Sequence, residues 1–218
     1  MTLDLVKKKI EERYPNRAIF KKLNVSDITL DIEKEYVYQI CELLKNDSEL
    51  DFATLSDLSG VDHLDYGKSY WNTVNSTSTG FSRGHKTDIS YILYMRHRFC
   101  VSYHLTSYLL NMRIRIRTFA SLHDMFVPSV TDLWSTANWH EREVYDLFGV
   151  IFVGHPNLLR ILTDYGFEGH PLRKDFPPTG EYEIRYDENL GKIVREASFI
   201  QREINTPKVV RKDFRYRK

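Results

Sequence analysis

At 218 residues the chain is long enough for one domain with a real core, or for one domain plus an extended segment. Its 31 basic and 30 acidic residues leave a formal net charge of +1, so no global field draws it to nucleic acid or an acidic membrane. Cys41 and Cys100 are the only cysteines and form no CxxC pair, which excludes a disulfide framework and a thiolate-ligated zinc or iron–sulfur centre.

In chain order, Leu3, Val6, Ile10 and Tyr14 recur at helical spacing until Pro15, which predicts an opening amphipathic helix. Ile28, Leu30 and Ile32 alternate with Thr29 and Asp31 as a half-buried strand does. Tyr36, Ile40, Leu43 and Leu44 give a second helix ending near Asn46, and Ala53 to Leu64 is predicted as a strand. Residues 67–87 break the rhythm with the small, polar run from Asn72 to Gly80, a surface loop or disordered insert. Ile89 to Met95 and Phe99 to Leu105 alternate, and Arg113 to Phe119 is the clearest strand, with isoleucines facing in and arginines facing out. Pro128-Ser129 could open a short helix. Trp139 to Phe148 is a stronger helix, with His140, Val144, Leu147 and Phe148 on one side and Gly149 as its terminator. The pattern predicts an α+β domain over residues 1–152, a mixed β-sheet covered by helices.

After Phe152 the character changes. Gly154-His155-Pro156, Gly166 to Pro171 and Phe176-Pro177-Pro178 punctuate the chain, and one hairpin is expected from Tyr182 to Val194. Residues 153–218 hold too few regularly spaced apolar residues for a core of their own, yet they are rich in Leu158, Leu159, Ile161, Leu162, Tyr165, Phe167 and Phe176. This predicts an extended C-terminal segment that docks on partner proteins. No run approaches the roughly 20 apolar residues of a bilayer-crossing helix, and Met1 to Leu5 resembles neither a secretory signal nor a transit peptide.

No motif for independent chemistry is complete. His140-Glu141 would need a histidine at Val144 to make HExxH. His123, His140, His155 and His170 could gather with Asp164 or Asp175 around a metal, but their spacing matches no ligand pattern, and backbone capping suffices for the histidines of Gly-His-Pro. There is no GxGxxG, no P-loop after Gly149 to Gly154, and no GxSxG. Arg113, Arg115 and Arg117 with the basic tail could suggest RNA, but a solvated face, or one meeting an acidic neighbour, is the simpler reading.

One segment is more specific. Trp139-His140-Glu141-Arg142-Glu143-Val144-Tyr145-Asp146-Leu147-Phe148-Gly149-Val150 resembles the E-R-E-x-x-D-L-F-G signature of the 30 kDa (NuoC-type) subunit of respiratory complex I. The resemblance continues from Phe152 to Leu158 and from Arg160 to Pro177, with weaker similarity over Phe99 to Phe119 and Glu181 to Val194. Two departures stand out: Leu159 occupies a position that is usually basic in the family, and the insert at 67–87 is longer than expected.

The resemblance implies a structural core subunit of the peripheral arm of NADH:ubiquinone oxidoreductase, a hetero-oligomer that passes electrons from NADH to ubiquinone and translocates protons. It implies no cofactor, catalytic residue or redox centre in this chain, and as partners the large quinone-site subunit and neighbouring iron–sulfur subunits. The motif residues then become subunit-interface candidates: Trp139, Glu141, Arg142, Glu143, Asp146, His155, Arg160, Asp164, His170, Arg173, Lys174, Asp175 and Phe176. Glu141 to Asp146 would pair within the helix or across a boundary, or merely solvate it. The family's sites are the matrix side of the mitochondrial inner membrane and the cytoplasmic face of a bacterial membrane. Scarce alanine and abundant Lys, Ile, Tyr and Asn favour the mitochondrial one. Two other classes stay open: a metal-dependent hydrolase using His155 and His170, tested by metal analysis, and an RNA-binding module, tested by salt-sensitive binding.

Overall fold

The alternation of isoleucine and arginine after Asn111 builds the middle strand of the main sheet. In the computed structural model, which describes residues 2–22, 28–64, 76–77, 80–81, 98–177, 180 and 182–198, this stretch is strand β7. The elements before it are α1 (Thr2–Arg13), β1 (Ala18–Lys22), β2 (Ile28–Ile32), a 3-10 turn leading into α2 (Val37–Asn46), β3 (Thr54–Asp62), the short β4 (Ser76–Thr77) and β5 (Gly80–Phe81), and β6 (Phe99–Ser107). After β7 (Met112–Ala120) come β8 (Phe126–Pro128), α3 (Ala137–Phe148), β9 (Ile151–Val153), β10 (Tyr182–Asp187) and β11 (Lys192–Ala197).

The chain divides into two units, Met1–Leu64 with Leu93–Phe176, and Asp65–Ile92 with Pro177–Lys218. The first holds a mixed five-stranded sheet in the order β1-β2-β7-β6-β3, in which only β2 and β7 run parallel. Register sets Leu30, Ile116, Tyr103 and Leu58 side by side across β2, β7, β6 and β3. All four are buried, and they share one core with Val6 and Ile10 of α1, Ile40 and Leu44 of α2, and Ala137, Val144 and Phe148 of α3. A side chain removed from water at such a position contributes about 1.5–3 kcal/mol. The fold is the expected α+β arrangement of helices on a mixed sheet. Gly60 of β3 is what admits α3: a Cβ there would lie 2.6 Å from Phe148 Cδ2.

On the other sheet face, parallel pairing sets Arg115 beside Thr29 and Arg117 beside Asp31. Arg115 Nε donates to Thr29 Oγ1 at 3.2 Å, and Arg117 grips Asp31 through Nε at 2.7 Å and Nη2 at 3.0 Å. For Arg117, the acidic neighbour is thus Asp31 of the adjacent strand.

Three expectations change. Pro128 does not open a helix but ends β8, which pairs in parallel with β9, and Ser129 N–H donates to Val153 O. Strand β1 was not anticipated, because a five-residue edge strand offers little periodicity. The boundary expected after Phe152 falls after Phe176, because the segment Gly154 to Phe176, here called the strap, belongs to the first unit. The strand expected at Ile89 to Met95 lies outside the described residues, as does most of the 67–87 insert.

In the second unit, β10 and β11 form the expected hairpin. Asp187 Oδ1 accepts the N–H groups of Asn189 and Leu190 to close its turn. Tyr182, Ile184, Tyr186 and Ile193 share one face of the ribbon and are all exposed.

Candidate functional site

The strap has no helix or strand, so its backbone must be held by something else. Much of that work falls to Asp146, on the last turn of α3. Its carboxylate is fully buried and accepts five bonds, all from the strap. Oδ2 takes the successive N–H groups of Ile161, Leu162 and Thr163 at 3.0, 2.8 and 2.9 Å. Oδ1 takes Thr163 Oγ1 at 2.6 Å and Arg160 Nη1 at 3.0 Å. Burial alone would raise its pKa, but these donors outweigh burial and bring it to about 2. Arg160 in turn donates Nη2 to Gly169 O at 2.9 Å, bracing the far side of the loop.

A second anchor lies at the strap's end. Arg98 and Asp62 are buried and bonded through Nε at 3.0 Å and Nη2 at 2.8 Å, and Arg98 also reaches Asp175 at 2.9 Å. Asp62 further accepts the N–H groups of Leu64 and Lys174 at 3.0 Å each. Burial opposes the charge on Arg98, yet its bonds to the two aspartates raise its pKa. Between the anchors, Arg173 donates Nε to Phe148 O at 2.6 Å and lies 5.1 Å over the Phe99 ring. His170 Nδ1 meets Asp146 O at 2.8 Å and so carries the proton there. These contacts satisfy carbonyls that the end of α3 leaves open. Gly149, in the left-handed conformation at φ 78°, ends the helix and leaves room for Arg173 and His170.

The signature helix divides its charges. Glu141 faces the core, where Ser129 Oγ donates at 2.7 Å and Val130 N–H at 2.8 Å. Burial pushes its pKa up to about 7 against those two bonds. Arg142 donates to the strap carbonyls of Leu159 at 3.0 Å and Arg160 at 3.3 Å, while its guanidinium sits 5.2 Å over the exposed Trp139 ring. Glu143 is exposed. His155 Nδ1 accepts the N–H of Asn157 at 3.0 Å, so Nε2 donates to Asn138 O at 3.2 Å.

Of the interface candidates, Glu141, Arg142, Asp146, His155, Arg160, His170, Arg173, Lys174 and Asp175 are thus all bonded within this chain. Phe176 stacks on Phe167 with centroids 5.8 Å apart, and only Trp139, Glu143 and Asp164 present side chains outward without such bonds among the described residues. Sequence reasoning missed Arg98 and Asp62, which lie in no motif. The apolar residues named for docking divide: Leu158 packs on the domain's own core, whereas Leu159, Leu162 and Tyr165 are exposed, as is Leu172. No group of three or more His, Cys, Asp or Glu among the described residues is placed to hold a metal, and no helix among them is long and apolar enough to cross a membrane.

Residues 30–182 match the model of the family described as respiratory-chain NADH dehydrogenase, 30 Kd subunit. The C subunit of the NADH-quinone oxidoreductase of Coxiella burnetii (strain Dugway 5J108-111) is 43% identical over 211 residues, 96% of this chain and 93% of the relative. Its counterpart from Legionella pneumophila (strain Corby) is 45% identical over 191 residues, 87% of this chain and 84% of the relative. Among solved structures, a trypsin-resistant fragment of Nqo5 matches with a TM-score of 0.53 and 26% identity, covering 72% of this chain and all of the fragment. A chain of an archaeal respiratory membrane complex, the membrane-bound sulfane sulfur reductase, shares the fold at a TM-score of 0.56 and 20% identity, covering 81% of this chain and 86% of that one. The bacterial relatives do not support the mitochondrial inner membrane expected from composition. A chain matched over this length, with its signature helix clamping its own strap, belongs to the 30 kDa subunit family of respiratory-chain NADH dehydrogenase, complex I.

Proposed function

We propose that the chain is a structural subunit of the peripheral arm of complex I that carries no redox centre and no catalytic residue, and that supports electron transfer from NADH to quinone coupled to proton translocation. The observation that carries the reading is where the signature residues stand. Glu141, Arg142 and Asp146 hold backbone of this chain in place, at Val130, at Leu159 and Arg160, and at Ile161 to Thr163. Residues so engaged shape a surface and are not free to react. Cys41 and Cys100 are buried, and burial pushes both thiols up, so neither is a ready thiolate for a cluster. Its neighbours would be the large quinone-site subunit and adjacent iron–sulfur subunits. The bacterial relatives favour the cytoplasmic face of a bacterial membrane.

Arg142→Ala tests the reading, because it frees two strap carbonyls and uncovers Trp139. The amount of assembled complex on a native gel should fall, while NADH:quinone turnover per remaining complex stays unchanged. Normal assembly with reduced turnover per complex would show a part in the chemistry and overturn the proposal.

A further inference from the structure

The strap is inverted relative to an ordinary surface segment. Its charged groups Arg160, Arg173 and Asp175 bond to the domain beneath, while Leu159, Leu162 and Tyr165 are 58%, 61% and 105% exposed. Apolar side chains grouped on one segment mark an interaction site more often than scattered ones do. Their backbone is already fixed: Leu162 N–H is held by Asp146 Oδ2 at 2.8 Å, Leu159 O by Arg142 at 3.0 Å, and the turn at Tyr165 is closed by Phe167 N–H on Asp164 O at 3.0 Å. A partner meeting this row has little left to order.

The charges around the row say what the partner is. Asp164, next to Tyr165, is exposed and engaged in no ion pair among the described residues, and Glu168 is also exposed. Exposed acid beside the row repels an anionic lipid surface. An apolar groove edged by a cation fits both features.

We propose that Leu159, Leu162 and Tyr165 form a preorganised anchor that seats in an apolar groove of a neighbouring subunit of the same complex, with a lysine or arginine of that subunit opposite Asp164. This rests on the complex-subunit reading above and adds the contact residues and the chemistry of their receptor.

The test uses the assembled complex, with a photoreactive benzoylphenylalanine at position 165. The expected product joins this chain to a different subunit, at an apolar stretch carrying a lysine or arginine. Tyr165→Asp and Asp164→Lys should each lower the complex recovered by about tenfold. Both side chains are exposed, so the melting curve of the purified chain should not move. A product with lipid, a product with a second copy, no product between proteins, or unaltered recovery of both variants would overturn the anchor. If the chain still co-purifies with NADH:quinone oxidoreductase in those cases, the subunit reading stands alone. If the unsubstituted chain never does so, both fall.

Discussion

Glu141 occupies the helix position where a leucine would be unremarkable, in series with Ala137, Val144 and Phe148. Its donors, Ser129 Oγ and Val130 N–H, are neutral, and no cation pairs with it among the described residues. Cys41 of α2, Tyr103 of β6 and Asp132 are the titratable groups around it, and Lys45 of α2 reaches the nearby carbonyl of Leu133. A carboxyl at about 7 when folded and near its ordinary 4.5 when unfolded binds more protons in the folded state between those values. Stability from this group is therefore present below about pH 4.5 and is lost as pH rises through 7, by on the order of 3 kcal/mol. Glu141→Gln keeps the shape and an acceptor while removing the titration. Denaturant midpoints at pH 5 and pH 8 should fall less with pH in the variant than in the parent, and parallel profiles would refute the assignment. The sequence reading made Glu141 a subunit-interface candidate, and in the fold its side chain faces the domain's own core, bonded to Ser129 and Val130. The 137/141/144/148 series was legible, but the apolar side was drawn through His140 and Leu147, both only partly buried.

At the scale of the element, Gly149 and Gly154 allow a controlled comparison. Both hold positive φ, 78° and 90°, so alanine at either incurs about 1–2 kcal/mol of backbone strain. At Gly154 nothing lies within 4 Å of a new Cβ. At Gly149 the Cβ would lie 2.4 Å from Arg173 Nη2 and 2.6 Å from His170 Nε2. Gly149→Ala should therefore lower the unfolding midpoint more than Gly154→Ala, and it should open the strap to trypsin at Arg173 and Lys174. Equal losses and equal cleavage would show that the strap does not depend on the helix end. Elements with a clear period were legible in the sequence: α1, α2, β2, β6, β7 and the hairpin. Their side-chain rhythm comes from burial of a single face, which is what the sequence records. The strap was not, since its order comes from carboxylates accepting backbone N–H groups, which follows no period.

For the molecule as a whole, counting apolar residues suggested that everything after Phe152 takes its shape from another polypeptide. The strap instead is tied down by Asp146, Arg98 and Asp62 of its own domain. The chain beyond the strap differs: the described hairpin residues are almost all exposed, and among the described residues the core contains none beyond Leu158. A chain ending at Phe176 should keep the near-ultraviolet circular dichroism and the cooperative unfolding of the full chain. Loss of cooperativity on truncation would show that the hairpin region supports the domain. Parallel pairing of β2 with β7 has one more consequence, for the order of folding. Ile28 meets Ile114, a partner 86 residues further along the chain. On the ribosome, β1 and β2 emerge long before the strand that completes their sheet, and closure of so long a loop is slow. During that interval Leu30 and Ile32 have no sheet to join, so nascent chains are most exposed to aggregation just before β7 is synthesised.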